Sequence, residues 1–337
     1  MVHYPCLKIN LSKVENNIRI INGRCATSGI SVVGVSKCFF GDAVIAGLFK
    51  KNGIKIFGDS RILNLIKLRK HFGPAQDLYM LRTPMITEVK ELAGICNTSM
   101  NTQRETVKAI SGQCQSLGKR HKIIVMVETD DRREGLLPEQ VLSFCAYVQK
   151  NCRAIDMLGI GTNARCITNK RPKRKSLELL VELKEEIEHK LGINIQVVSG
   201  GNSSIWDLIE NDDVPSGINQ VRIGEAILLG HETAQYKAIK GTYSDAFILE
   251  AEIIETKKRS GGSASHRAIA ALGLQDVYFK NIKAAEPPAV IESQSSDHSV
   301  IETAVKIKTG DIISFKPDYF GILSCMSSPF VKKVYII

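Results

Sequence analysis

The hydrophobic pattern of this chain changes texture near residue 241. Before it, short apolar runs alternate with longer stretches in which apolar residues recur at helical spacing, the pattern of strand–helix units around a parallel sheet. Eight runs predict strands: Ser31–Ser36, Ile54–Phe57, Leu78–Leu81, Asn97–Met100, Lys122–Glu128, Asp156–Thr162, Asn194–Ser199 and Asn219–Ile223. Between them, Thr102–Leu117, Pro138–Lys150 and Ser176–Leu191 predict helices. Eight such units suit an α/β fold of the (β/α)8 barrel type. A doubly wound open sheet gives the same alternation, but its GxGxxG after the first strand is missing, since Lys37-Cys38-Phe39-Phe40 follow Ser36. After Gly241 the runs FILEAEIIE, RAIAAL, VIES, DIISF and VKKVYII read as strands with few helices between them. The expectation is therefore a barrel over residues 1–240 and a smaller β-rich domain over 241–337. The Gly/Ser/Lys-rich stretch from Lys257 to His266 reads as an exposed hairpin loop, and Ala284 to Pro288 as a turn.

At 337 residues and 44% hydrophobic content, the chain has a core large enough to fold without staples. The nine cysteines form no CxxC pair, and their odd number argues against a disulfide framework, so a reducing cytoplasm is expected. The N-terminus lacks a basic region followed by an apolar stretch, and no apolar run approaches the roughly 18 residues of a membrane span. Neither secretion nor membrane insertion is expected. The net charge of +10 raises nucleic acid as a partner, with Lys170, Arg171, Lys173, Arg174 and Lys175 close together. No recognition motif or aromatic stacking series accompanies that cluster, which reads as a solvated loop before a helix.

In a parallel barrel, function gathers at the carboxyl ends of the strands. Lys37 follows the first predicted strand, Arg82 the third, Asn101 the fourth, Arg133 the fifth and Asn163 the sixth. The run Ser199-Gly200-Gly201-Asn202-Ser203-Ser204 follows the seventh, and Arg222-Ile223-Gly224-Glu225 closes the eighth. Lys37 ends an apolar strand beside Cys38, Phe39 and Phe40, a setting expected to desolvate its amine in part and so to make it a nucleophile toward carbonyls. The glycines of SGGNSS let backbone N–H groups approach an anion, and hydroxyls complete the cage. A Gly-Ser turn with a helix cap explains that run equally well by itself. Its pairing with RIGE on the next strand favours a phosphate, because the last two loops of a barrel commonly hold one.

With these residues laid out, the chain resembles the alanine-racemase-like pyridoxal-phosphate enzymes of fold type III, and within them the ornithine racemases. The likeness rests on GDSRILNL (Gly58 to Leu65), LRTPM (Leu81 to Met85), SMN (Ser99 to Asn101), REG (Arg133 to Gly135), VSGGNSS (Val198 to Ser204), VRIGEAILLGHET (Val221 to Thr233), SSDH (Ser295 to His298) and GDIISF (Gly310 to Phe315). It implies pyridoxal 5′-phosphate as cofactor, an amino acid as substrate and a head-to-tail homodimer. By the same resemblance, Lys37 holds the cofactor aldehyde, Gly201, Asn202, Ser203 and Gly224 bind its phosphate, Ser199 also belongs to the cofactor site, and Arg222 faces the pyridine nitrogen. Asn163 lies by the ring, where alanine racemases carry histidine, and Arg133 faces the substrate carboxylate.

Two departures matter. Alanine racemases supply a second acid/base as a tyrosine after a glycine in the β domain, whereas this chain reads Gly273-Leu274-Gln275-Asp276. Asp276 and Asp297 rank first as replacements, ahead of His298, Cys325 and Tyr319. Either carboxylate serves equally to pair with the terminal ammonium of ornithine or lysine. The phosphate-touching tyrosine after the lysine is also absent, with Phe40 and Gly41 there instead. Two other functions share this fold: a D-amino-acid lyase, which adds a metal and for which Asp297-His298 is the suggestive neighbouring pair, and a non-catalytic cofactor-binding homologue. The expectation for this chain is a racemase with no metal.

Overall fold

The eight short runs become eight parallel strands in the computed structural model, which describes residues 3–129, 131, 133–165, 171–258 and 266–337. After β1 (Cys6–Asn10) come β2 (Ser31–Val35), β3 (Ile56–Asp59), β4 (Asp77–Met80), β5 (Thr98–Asn101), β6 (His121–Val127), β7 (Ile155–Thr162), β8 (Val197–Ser199) and β9 (Gln220–Ile223). Strands β2 to β9 close into a barrel, β9 pairing back on β2 with Val221 opposite Val32. The runs are almost continuously apolar because both faces are covered. Val33, Tyr79, Met100, Ile124, Met126 and Leu158 fill the interior. Val32, Phe57, Val125 and Ile160 face outward into the larger core shared with the helices. Helices Arg104–Ser116, Pro138–Asn151 and Arg174–Leu191 stand where periodicity predicts them. Arg174 and Lys175, expected in a loop, lie inside the last of these, and Arg174 pairs with Glu178 and Asp213. Lys170 and Cys166 lie outside the described residues.

The second sheet is built from β10 (Phe247–Lys258), β11 (His266–Ala270), β12 (Ile282–Glu286), β13 (Val290–Gln294), β14 (Ser299–Thr303), β15 (Ile312–Pro317) and β16 (Lys332–Ile336). Its order is β12-β15-β10-β11-β14-β13, antiparallel throughout. β1 joins it from the other end of the chain, antiparallel to β10 and parallel to β16, with Cys6 opposite both Glu250 and Lys332. The first strand thus belongs to the second sheet although it precedes the barrel. Ala284–Glu286, expected in a turn, are the end of β12, and β14 lies in a stretch with no predicted strand. At the expected hairpin, Lys257 pairs with Arg267 and Lys258 with His266, and residues 259–265 lie outside the described residues.

One helix of the second part, Tyr319–Ser327, matters most for function. Asp318 caps it by accepting from the Gly321 N–H at 2.8 Å. It buries Gly321, Ile322, Cys325 and Met326 and packs on the 3₁₀ turn Lys37–Phe39 at the mouth of the barrel. The Cys38 thiol reaches the Tyr319 carbonyl at 3.4 Å. Among the described residues, no helix is long and apolar enough to cross a membrane.

Barrel closure sets a steric limit that substitution tests. A Cβ on Gly159 of β7 would meet the Val197 carbonyl oxygen of β8 at 2.1 Å, backbone that cannot step aside. Gly47, in helix Ala43–Lys51, has open space around its Cα. Gly159→Ala is expected to cost about 3 kcal/mol, and Gly47→Ala to gain about 0.5–1 kcal/mol. Denaturant unfolding of the two variants measures both. Equal effects would contradict the packing described.

Candidate active site

At the carboxyl end of β2 the chain makes a single 3₁₀ turn over Lys37–Phe39, and Phe40 (φ 55°) and Gly41 (φ 64°) reverse it. Cys38 and Phe39 are buried, and Phe39 meets Phe49 edge to face at 5.7 Å. The turn is fixed from below by Ser36, whose hydroxyl donates to Asp59 Oδ2 at 2.6 Å. Asp59 also accepts from the Arg61 N–H and from Asn64, which offset the burial that raises its carboxyl above the usual range. The side chain left to face the barrel mouth is Lys37, which is exposed and not desolvated as its apolar neighbours suggested, because Cys38 and Phe39 turn inward and the lysine turns out. Its amine has no hydrogen-bond or ion-pair partner among the described residues and lies 5.6 Å from the centre of the Tyr319 ring.

Across the mouth, β7, β8 and β9 are tied by a buried guanidinium. Arg222 donates to Ser199 Oγ at 2.6 Å, to Asn163 Oδ1 at 2.6 Å and to the Thr162 carbonyl at 2.5 Å. Asn163 in turn donates to Glu134 at 2.6 Å, and Glu134 is paired with Arg133. Next to this network lies the turn of the SGGNSS run. Gly201 holds φ at 136°, a backbone that favours glycine, and its carbonyl accepts from the Arg222 N–H at 2.9 Å. Asn202 caps the next turn by accepting from the Ser204 N–H and donates to the Ala164 carbonyl, each at 2.9 Å. Ser203 accepts from the Ala226 N–H, which links SGGNSS to RIGE through a hydrogen bond of 3.3 Å.

These groups share one cavity of about 580 Å³, lined by Lys37, Arg133, Asn163, Asn202, Ser203, Arg222 and Gly224. Ser199 and Gly201 stand behind the wall and hold Arg222 in place. Arg82 and Asn101, also at the rim, are engaged in structure: Arg82 pairs with Glu88, and Asn101 donates to Ser99. A hollow of about 620 Å³ on the other side of the Lys37 turn, between Phe40, Lys67 and Lys333, takes in none of the sequence-predicted site residues.

Asp276 and Asp297 do not line the cavity of their own chain. Asp276 is buried, accepts from the Gly273 N–H at 2.9 Å and has its carboxyl raised by that burial. Asp297 is exposed and hydrogen-bonded to His298 at 2.8 Å, which holds its carboxyl below the usual range. The two meet at one loop, where Gly273 packs against the backbone of Ser296 and Asp297. Sequence reasoning also passed over Arg165, His231, Thr233, Tyr236, Asp318 and Phe320, all in the cavity wall. The HET of the VRIGEAILLGHET motif carried a signal for two of these, and the capping aspartate before an apolar helix carried one for the Asp318 side. Among the described residues, no three His, Cys, Asp or Glu side chains converge as metal ligands.

The sequence profile of alanine racemase, N-terminal domain, matches residues 9–232. The chain belongs to that family. It is 34% identical to a lysine racemase of Thermotoga maritima, over 98% of each chain. Identity to an ornithine racemase of Acetoanaerobium sticklandii is 30%, over 98% of this chain and 99% of that one. An alanine racemase of Clostridium difficile, solved with cycloserine, superposes with a TM-score of 0.78 at 18% identity, covering 100% of this chain and 96% of the other, and so shares the fold. As a member of the alanine racemase family, the protein takes pyridoxal 5′-phosphate. The residues present fit that cofactor in kind: an unpartnered lysine amine, a turn of small residues at the junction of two barrel loops, and a buried guanidinium between them.

The forked guanidinium is the part most exposed to substitution. Arg222→Lys retains the charge but cannot serve Ser199, Asn163 and the Thr162 carbonyl at once. A stability loss of about 1.5–3 kcal/mol is expected in denaturant unfolding. An unchanged unfolding midpoint would show that the network contributes nothing.

Proposed function

We propose that the protein is a pyridoxal-phosphate-dependent racemase that interconverts the L and D enantiomers of a basic amino acid, ornithine or lysine. The observation that carries this reading is the unpartnered Lys37 amine in a cavity shared with Arg222 and the Asn202-Ser203-Gly224 turn. Bound pyridoxal phosphate supplies an electron sink that acidifies the substrate Cα–H. Lys37 holds the cofactor and then, as a free amine, moves the proton on one face of Cα. Asn202, Ser203 and Gly224 grip the phosphate, with Ser199 and Gly201 supporting the grip from behind. Arg222 would stand at the pyridine nitrogen and, keeping its own proton, would favour return of the proton to Cα. Asn163 would lie beside the ring. Arg133 takes the substrate carboxylate in a charge-assisted pair.

Asp276 and Asp297 are proposed to complete the site from a second chain. A head-to-tail homodimer, implied by the family resemblance, is the arrangement in which the 241–337 part of one protomer closes the 1–240 barrel of the other. In it, Asp276 or Asp297 stands where alanine racemases place a tyrosine and moves the proton on the opposite face. A raised carboxyl suits Asp276 to proton transfer. We place the enzyme in the reducing cytoplasm. The eight described cysteines, buried and unpaired, are consistent with that compartment, and burial pushes Cys25, Cys96 and Cys145 up to about 12, where thiols are inert.

Incubation of the cofactor-loaded protein with L-ornithine, L-lysine, L-alanine and L-serine, followed by chiral chromatography, tests the proposal. The D enantiomer of ornithine or lysine is expected to appear, and none in Lys37→Ala. Cofactor binding without any change of enantiomer would overturn the racemase reading.

A further inference from the structure

One carboxylate in the cavity wall is held by a single long hydrogen bond. Glu225 opens the short helix after Gly224, and its one hydrogen bond among the described residues comes from His231 Nε2 at 3.4 Å, near the outer limit for such a bond. The cavity's other carboxylate, Asp318, is occupied on both oxygens: Oδ1 accepts from the Gly321 N–H at 2.8 Å and Oδ2 from Asn281 at 3.0 Å. Glu225 is therefore the acidic side chain in the wall with an acceptor to offer.

Its position makes that acceptor informative. Glu225 adjoins the Asn202-Ser203-Gly224 turn, and a carboxylate beside a phosphate is repelled unless a cation stands with it. Arg222 is engaged deep in the barrel, and Arg133 lies with Glu134. Glu225 and Asp318 line the same cavity wall as Lys37. A substrate whose Cα reaches Lys37 thus has a carboxylate within the same cavity for the far end of its side chain.

We propose that Glu225 is the specificity residue of this enzyme and receives the distal ammonium of a diamino-acid substrate. The ammonium supplies Glu225 with a closer partner than the long contact from His231, and a charge-assisted hydrogen bond in a partly buried site discriminates strongly against an isosteric methyl end. This assigns side-chain recognition to Glu225 and leaves Asp276 and Asp297 to proton transfer. It rests on the racemase reading above for the substrate class, but it is tested by binding.

Titration of the cofactor-loaded protein with L-lysine, L-ornithine and L-norleucine, followed through the cofactor's visible absorbance, gives the three affinities. The diamino acids are expected to bind roughly 10- to 100-fold more tightly than norleucine. Glu225→Gln is expected to bring that ratio to within a few-fold of one, with Glu225→Asp in between. In turnover, the loss falls on KM more than on kcat. A wild-type ratio near one, or an unchanged ratio in Glu225→Gln, overturns the proposal. So does a Glu225→Gln protein that loses cofactor affinity and weakens toward all three amino acids equally, which would assign Glu225 to the phosphate end through His231. A Glu225-dependent preference without any D enantiomer leaves this inference standing and removes the racemase reading.

Discussion

A guanidinium buried at the carboxyl ends of parallel strands demands acceptors on every side, and that demand organises this molecule. Arg222 meets it with Ser199 at the end of β8 and with Thr162 and Asn163 at the end of β7. Burying such a charge without those partners costs several kcal/mol. Meeting it fixes the ends of three neighbouring strands. The SGGNSS turn follows from the same constraint, because the Gly201 carbonyl takes the Arg222 N–H and Ser203 reaches the helix that begins after Gly224. Lys37 stands opposite on a turn anchored independently by Ser36, Asp59 and Phe39. Two rims, each held by its own hydrogen bonds, thus face each other across one cavity.

The second sheet contributes to the site mainly through the helix that follows β15. The helix Tyr319–Ser327 lies on the Lys37 turn, so residues from the far end of the chain wall the cavity beside the lysine. β1 explains how the two parts stay in register: it pairs with β10 and β16 and then enters the helix Leu11–Thr27 through the Asn10 cap. The chain crosses from sheet to barrel at both ends, which gives the cavity a wall that a barrel alone lacks.

Much of this was legible in the sequence because parallel barrel strands are buried on both faces. All eight barrel runs became strands, with ends shifted by at most three residues. Lys37, Asn163, Ser203, Arg222 and Gly224 were legible because a barrel puts whatever follows a strand at one rim. The strand β14 and the end of β12 were less so, since antiparallel strands with one exposed face carry polar residues that resemble turns. The β1 pairing joins residues about 240 positions apart in sequence, which local pattern cannot reveal. The same holds for Asp318 and Tyr319: their place beside Lys37 depends on how the second sheet docks. Glu225 was seen as part of a turn, but the poverty of its partners became visible only once the other acids were found occupied.

The central claim is that Lys37 is the residue that carries the cofactor. Borohydride reduction of the cofactor-loaded protein, followed by proteolysis and peptide mass spectrometry, tests it most directly. The account predicts the reduced cofactor's mass on the peptide containing Lys37 and on no other. The same mass on a different lysine, such as Lys67 in the neighbouring hollow, would contradict it.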